Sequence, residues 1–352
     1  MKRYIFTIIF SALSFCSFAG EKDNFYKADN SLIQYTGRID FSNPELPRFY
    51  ASGVYLKFTF TGNNCNVLIN DEMLYGKNHN YITIVVDGGT PKKIQLTAKE
   101  NDINVAKNLS DGKHTVLICK ATESGVGFLE FAGIKCGKLT TNEKLPVRKI
   151  EFIGNSITCG MGADLTIPCD TKDWFDQHNA YLSYGPSTAR NLDAQWQLTS
   201  VSGIGLMHSC CGLKNTMPDV FDKINLRDNE KIWDFNQYQP DVVSICLGQN
   251  DGVQDSVAFT SAYLKFIDRI RLVYPNASIL CLTSPMANEQ LTKVMKNYLT
   301  GIVNEENKTD KNVYKYFYSK RYFHGCGTHP DLEEHQQMAD ELTAYIKEIK
   351  NW

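Results

Sequence analysis

The sequence predicts two domains of different class, an all-β sandwich of jelly-roll type followed by an α/β domain whose parallel sheet is flanked by helices. Strict alternation of apolar and polar residues in the first part indicates half-buried strands. Continuous apolar runs that alternate with amphipathic helices in the second part indicate a buried parallel sheet. A chain of 352 residues is long enough for two such domains.

The N-terminus has the pattern of a secretory signal peptide in residues 1–19: a basic start, an apolar run and a small-residue cleavage site. The apolar run is too short for a membrane span, which needs about 20 residues. Bulky Phe15 disfavours the alternative of a lipoprotein anchored through Cys16. We expect cleavage near Ala19 and a secreted or periplasmic protein.

The predicted β-sandwich covers residues 20–137. Within Val54–Phe60 every second residue is apolar, and similar short runs follow, separated by turns such as Asp87-Gly88-Gly89. No helical pattern interrupts them, which is typical of a sandwich or jelly roll. A polar segment at 138–148 reads as a linker.

The predicted α/β domain covers residues 149–352. Its candidate strands are the apolar runs at 149–153, 194–199, 241–247 and 277–283, and its amphipathic helices cover about 257–273 and 331–349. The net charge of −2 offers no basic face for nucleic acid. The 11 cysteines contain no C-x-x-C pair, which disfavours a zinc ribbon. Cys159 and Cys169 flank one loop and could form a disulfide, but the pairing is left open.

Chemically useful residues follow the predicted strands. They are Ser156 in "GNSITCG", Gly203 in "SVSGIG", Asn250 in "GQND" and His329 in "GTHP". Carboxyl ends of parallel strands meet at one sheet edge, where ligands bind. A serine needs a base to become a nucleophile, and the oxyanion it creates needs preorganised donors. These residues therefore fit ester cleavage, with Ser156 attacking and His329 as base.

The oxyanion hole would combine the N–H groups of Ser156 and Gly203 with the Asn250 amide, although Gly205 competes for the glycine role. Each residue also has a structural interpretation: a serine can cap a helix and an asparagine can close a turn. The occurrence of all the motifs in order favours catalysis. Gly154 is expected to allow a sharp turn before the serine.

These motifs resemble those of the SGNH (GDSL-type) hydrolases, with Asn155 where aspartate is commoner. The segments "GKHTVLICKATES" (Gly112–Ser124) and "NAYLSYG" (Asn179–Gly185) are similar to carbohydrate esterase family two. The resemblance covers nearly the whole chain beyond the signal. It implies deacetylation of plant cell-wall polysaccharide such as xylan, glucomannan or pectin, through an acetyl-enzyme on Ser156 and without metal or organic cofactor.

One departure concerns the histidine. The resembling enzymes usually place an aspartate two or three residues before it, where this chain has Gly327 and Cys326. Asp331, followed by Glu334, matches an N-cap and capping box better than a triad acid. We therefore predict a Ser–His dyad in which a backbone carbonyl holds the second imidazole nitrogen.

Trp174 and Trp233 lie in polar stretches and are candidate substrate-binding platforms, although each could instead pack its loop onto the core. A metal site from Asp251, His324 and His329 fits no familiar ligand spacing. Two other functions stay open: an SGNH lipase or thioesterase for longer acyl chains, and a carbohydrate-binding protein with an inactive hydrolase domain.

Overall fold

The computed structural model describes residues 23–170, 173–227 and 230–352. The predicted signal peptide lies outside the described residues. In the described part of the chain, no helix is both long enough and apolar enough to cross a bilayer.

The first part of the chain is an antiparallel β structure. Its strands are β1 (Asn24–Lys27), β2 (Gln34–Thr36), β3 (Ile39–Asp40), β4 (Arg48–Phe49), β5 (Tyr55–Asp71), β6 (Tyr81–Val86), β7 (Lys92–Gln95), β8 (Glu100–Ala106), β9 (Lys113–Lys120) and β10 (Leu129–Thr140). The long strand β5 pairs along one edge with β10, and along the other with β9 in its first half and β8 in its second. Alternate side chains of β5, including Phe58 and Phe60, are fully buried in the core.

The second part alternates strands with helices, as predicted. Its elements are β11 (Arg148–Gly154), α1 (Ser156–Cys159), α2 (Tyr184–Asn191), β12 (Ala194–Ser200), α3 (Met217–Val220), β13 (Val242–Cys246), α4 (Ser256–Val273), β14 (Ser278–Leu282), α5 (Glu289–Glu306), β15 (Val313–Tyr316) and α6 (Leu332–Lys350). Among the described residues the sheet is parallel throughout, in the order β12-β11-β13-β14-β15. Every residue of β12, β13 and β14 is buried, because helices or the β-sandwich cover both faces.

The two parts share an extensive interface. Tyr55 of β5 stacks on Trp196 of β12 at 4.1 Å between ring centroids, and the Trp196 indole N–H donates to the Gly53 carbonyl at 2.9 Å. Arg38 crosses into the α/β part and pairs with Glu151 of β11 at 2.8 Å, with both side chains fully buried. The β-sandwich thus carries the counter-charge of a carboxylate in the central parallel sheet.

Trp233 belongs to this interface. It is only 3% exposed, and its ring lies 5.8 Å from the guanidinium carbon of Arg38. The prediction that Trp233 could form a substrate platform is wrong, because its ring packs beside a buried cation and offers no face to a ligand.

Candidate active site

A cleft of about 780 Å³ opens at the carboxyl edge of the parallel sheet, and both parts of the chain contribute to its walls. Its lining contains the predicted residues Ser156, Gly203, Asn250 and His329, which come from separate loops. The other lining residues are Glu123, Ser124, Gly125, Met161, Trp174, Val201, Ser202, Ile204, Cys210, Cys211, Gly212, Leu213, Lys214, Asn215, Leu226, Arg227, Gln249 and Met286.

Ser156 is positioned by the end of β11. The side chain of Asn155 caps α1 by accepting the Ile157 N–H at 3.1 Å, and Ser156 is the first helical residue. N–H groups in a first helical turn have no intrahelical acceptor, so that of Ser156 is available to an oxyanion. The substitution of aspartate by Asn155 keeps a capping oxygen in place.

Gly154 has a different role from the one expected. Its φ is not in the left-handed range, so the turn itself does not require glycine. A Cβ atom at this position would instead overlap the hydroxyl of Thr158, which packs over the end of the strand. Gly162 allows a second close approach, because a Cβ there would collide with the Cys326 carbonyl in the histidine loop.

The imidazole of His329 is held at both nitrogens. Its Nε2 lies 2.8 Å from Ser156 Oγ, and its Nδ1 lies 3.1 Å from the Gly327 carbonyl oxygen and 3.2 Å from that of Cys326. Since carbonyl oxygens only accept hydrogen bonds, Nδ1 carries the proton and Nε2 can accept the serine proton.

Asp331 does not contact the imidazole. Its carboxylate accepts the Glu334 N–H at 2.8 Å, and the Glu334 carboxylate accepts the Asp331 N–H at 3.2 Å, completing the predicted capping box of α6. The geometry therefore corresponds to a Ser–His dyad with backbone carbonyls at the position of a triad acid.

Burial lowers the pKa of His329 below its usual 6.5, although the hydrogen bonds to the Cys326 and Gly327 carbonyls partly oppose this. The imidazole is therefore neutral at neutral pH, the form in which it can accept a proton.

Gly203 and Asn250 lie in neighbouring loops. Gly203 has a φ of +83°, and its carbonyl accepts the Cys210 N–H at 2.8 Å. The N–H of Gly205, the competing glycine, donates to Ser209 Oγ at 3.1 Å, so this N–H is not available to a ligand. One amide hydrogen of Asn250 is donated to the Ile204 carbonyl at 2.7 Å, which leaves the second for an oxyanion.

Asp251, the last residue of "GQND", has a positioning role that the sequence analysis, which considered it only as a metal ligand, did not assign. Its buried carboxylate accepts the N–H groups of Leu206, Met207 and His208 at 2.9, 2.6 and 3.0 Å and thereby holds the loop that follows Gly203. His324 pairs with Glu334 at 2.7 Å.

The disulfides differ from the pairing considered for Cys159. Cys169 pairs with Cys326, which connects the loop after the serine to the loop of the histidine, whereas Cys159 is a buried free thiol. The adjacent residues Cys210 and Cys211 form a second disulfide in the cleft wall.

Trp174 lines the cleft and is 46% exposed, and its ring makes a T-shaped contact with that of His178 at 5.1 Å between centroids. Its ring is therefore accessible to a ligand in the cleft, as a sugar platform requires.

Family models match most of the chain. The Carbohydrate esterase 2 N-terminal model matches residues 35–146, and the GDSL-like Lipase/Acylhydrolase family model matches residues 152–347.

Individual relatives agree with these matches. The chain is 34% identical over 335 residues to cellulase/esterase CelE of Acetivibrio thermocellus, covering 92% of this chain but only 40% of CelE. It is 28% identical over 342 residues to an acetylxylan esterase/glucomannan deacetylase of Cellvibrio japonicus, covering 92% and 91% of the two chains. A family two carbohydrate esterase from Clostridium thermocellum, solved in complex with cellohexaose, superposes with a TM-score of 0.84 at 33% identity, covering 91% of this chain and 99% of that one.

Proposed function

The chain belongs to the family two carbohydrate esterases, and from this premise we propose that it removes acetyl groups from hydroxyls of plant cell-wall polysaccharide after export from the cell. Xylan, glucomannan and pectin are the candidate substrates. The observation that carries the proposal is the 2.8 Å contact between Ser156 Oγ and His329 Nε2 inside an open cleft.

In the first half of the reaction, Ser156 Oγ attacks the acetyl carbonyl carbon while its proton moves to His329 Nε2. The carbonyl oxygen becomes an oxyanion, which accepts hydrogen bonds from the N–H groups of Ser156 and Gly203 and from the Asn250 amide. When the intermediate collapses, the C–O bond to the sugar breaks and His329 returns the proton to the sugar oxygen. The product is a free hydroxyl on the glycan and an acetyl ester on Ser156.

In the second half, a water molecule gives a proton to His329 Nε2 and attacks the acetyl-enzyme. The same donors stabilise the second oxyanion, and its collapse returns the proton from His329 to Ser156 Oγ and releases acetic acid, which ionises to acetate. Throughout, the carbonyls of Cys326 and Gly327 accept the Nδ1 proton and hold the imidazole in the required tautomer.

Trp174 is the proposed sugar platform. An indole ring that is 46% exposed at the cleft wall can stack against the apolar face of a sugar. Trp174→Ala is expected to raise KM for acetylated oligosaccharides while leaving KM for a small aryl acetate unchanged, because only the larger substrate reaches the ring.

The experiment that tests the proposal is acetate release from a panel of acetylated xylan, glucomannan and pectin, with Ser156→Ala as the matched inactive control. Release from at least one polysaccharide by the wild type, and none by the variant, supports the proposal. Glycan binding without any acetate release would instead favour the carbohydrate-binding alternative.

A longer-chain esterase is the second candidate, and the lining of the cleft is the observation that favours it. Several apolar side chains line the cleft, namely Val201, Ile204, Leu213 and Leu226. A series of aryl esters of increasing acyl length separates the two functions, since a deacetylase loses kcat/KM beyond acetate and a lipase gains it.

A further inference from the structure

Glu123 reaches the cleft from the β-sandwich. It lies in the turn after β9 and is only 2% exposed, although it borders the cleft. Its turn is held by three hydrogen bonds: the buried Lys120 Nζ donates to the Thr122 and Glu123 carbonyls at 2.8 and 3.0 Å, and the Val126 N–H donates to the Glu123 carbonyl at 3.1 Å.

The Glu123 carboxylate is hydrogen-bonded to Ser202, which directly precedes Gly203. Its Oε2 accepts the Ser202 backbone N–H at 3.0 Å and the Ser202 hydroxyl at 2.5 Å. On the other side, the Cys210 N–H donates to the Gly203 carbonyl at 2.8 Å. Hydrogen bonds thus hold the peptide groups on both sides of the Ser202–Gly203 peptide, which carries the Gly203 N–H, and one of the two anchoring partners, Glu123, belongs to the other domain.

The acceptor at this anchor is charged. Burial raises the pKa of Glu123, but the nearby His178 imidazole and the hydrogen bond from the Ser202 hydroxyl lower it below the usual value overall. The fully buried His178 has its Nε2 3.7 Å from Glu123 Oε2. An ionised carboxylate that accepts N–H and O–H donors forms stronger hydrogen bonds than a neutral acceptor, so the anchor is stiff.

We propose that Glu123 is a positioning residue, supplied by the β-sandwich, that orients the Ser202–Gly203 peptide so that the Gly203 N–H faces the oxyanion. The inference rests on the proposed esterase function. Its proposed action is through Ser202, to which its Oε2 is hydrogen-bonded, rather than on the substrate itself. The β-sandwich then completes the catalytic unit rather than serving only as a wall.

The test compares Glu123→Ala and Glu123→Gln with Asp40→Asn in the full-length protein. Asp40 pairs with Lys231 across the same interface but does not line the cleft, so its variant controls for weakened domain contact. Because one oxyanion donor contributes about 10²–10³ in kcat, Glu123→Ala is expected to lower kcat for an aryl acetate at least about tenfold with KM little changed.

Glu123→Gln, which keeps an acceptor oxygen, is expected to restore most of this rate, and Asp40→Asn to match the wild type. The proposal is overturned if Glu123→Ala loses no more kcat than Asp40→Asn, or if Glu123→Gln is as impaired as Glu123→Ala. If Glu123→Ala does not fold, the Ser202→Ala variant tests the proposal instead. It removes one donor to Glu123 and is expected to lower kcat, whereas a wild-type rate contradicts the proposal.

A second readout separates this inference from the proposed function. An alkyl fluorophosphonate reacts with an activated serine and places its P=O oxygen in the oxyanion hole, whatever the natural substrate. Slower labelling of Ser156 in Glu123→Ala supports the positioning role even if the wild type releases no acetate from any glycan, and equal labelling contradicts it. If only the proposed glycan deacetylation is wrong, the wild type itself releases no acetate from glycans. The difference in labelling rate between the wild type and Glu123→Ala then remains.

Discussion

Ser156 Oγ and His329 Nε2 lie 2.8 Å apart, while the opposite nitrogen of the imidazole is hydrogen-bonded to the backbone carbonyl oxygens of Cys326 and Gly327. A peptide carbonyl carries no net charge, yet it fixes the tautomer as a carboxylate would. The position of these carbonyls depends on the loop that contains Cys326 and Gly327, which the Cys169–Cys326 disulfide connects to the loop after the serine.

Asp331→Asn is expected to leave kcat within about twofold of the wild type, because the side chain caps α6 and an asparagine caps equally well. In a triad enzyme the same substitution costs about 10⁴ in kcat. Steady-state kinetics with an aryl acetate, with thermal unfolding to verify the fold, distinguishes the two. A collapse of kcat in a folded variant would restore the triad interpretation.

The pH profile should report the buried imidazole. Because burial lowers the pKa of His329 below 6.5, the neutral, active form persists to more acid pH than for an exposed histidine. The acid limb of kcat/KM is therefore expected to have its midpoint below pH 6.5. A midpoint above pH 6.5 would contradict this expectation. It would mean that another group controls the acid limb, or that the protein stabilises the protonated form of His329 over the neutral form.

Asn250→Ala is expected to lower kcat by about 10²–10³, because it removes one donor to the oxyanion. The variant also loses the bond to the Ile204 carbonyl, so its labelling by the fluorophosphonate probe and its unfolding temperature should be measured with kcat. If kcat stays near the wild-type value, Asn250 is a turn residue only.

Cys169→Ser is expected to destabilise the protein by about 2–5 kcal/mol, since the bond to Cys326 closes a long loop in the unfolded chain. The kcat should also fall, because the Cys326 carbonyl contacts His329. Thermal unfolding with and without a thiol reductant provides the check. Reductant should lower the unfolding midpoint of the wild type toward that of the variant. Because reductant also cleaves the Cys210–Cys211 bond, any further fall in the midpoint of the variant on reduction measures the contribution of that second bond. An unchanged midpoint in Cys169→Ser would contradict the expectation.

Much of the fold was predictable because strand period and burial leave local traces in the sequence. The alternation in Val54–Phe60 and the apolar run in β13 identified both domain classes. Ser156, Gly203, Asn250 and His329 could be grouped from sequence because parallel topology brings the ends of their strands to one edge. Helix α5 was not predicted as a separate element.

The remaining features depend on contacts between distant parts of the chain. Trp233 looked exposed because its neighbours are polar, yet it packs beside Arg38 from the other domain. The partner of Cys169 is 157 residues away, and Glu123 lies in a domain that has no catalytic motif. No local pattern marks such contacts, since they arise only when the two domains pack together.

The most direct test of the central claim is mass spectrometry of the wild-type protein, acid-quenched during turnover of an aryl acetate and then digested. We expect one acetyl group on the peptide that contains Ser156, present in the wild type and absent in Ser156→Ala. Turnover without acetylation of Ser156, or acetylation at another residue that persists in Ser156→Ala, would contradict the account.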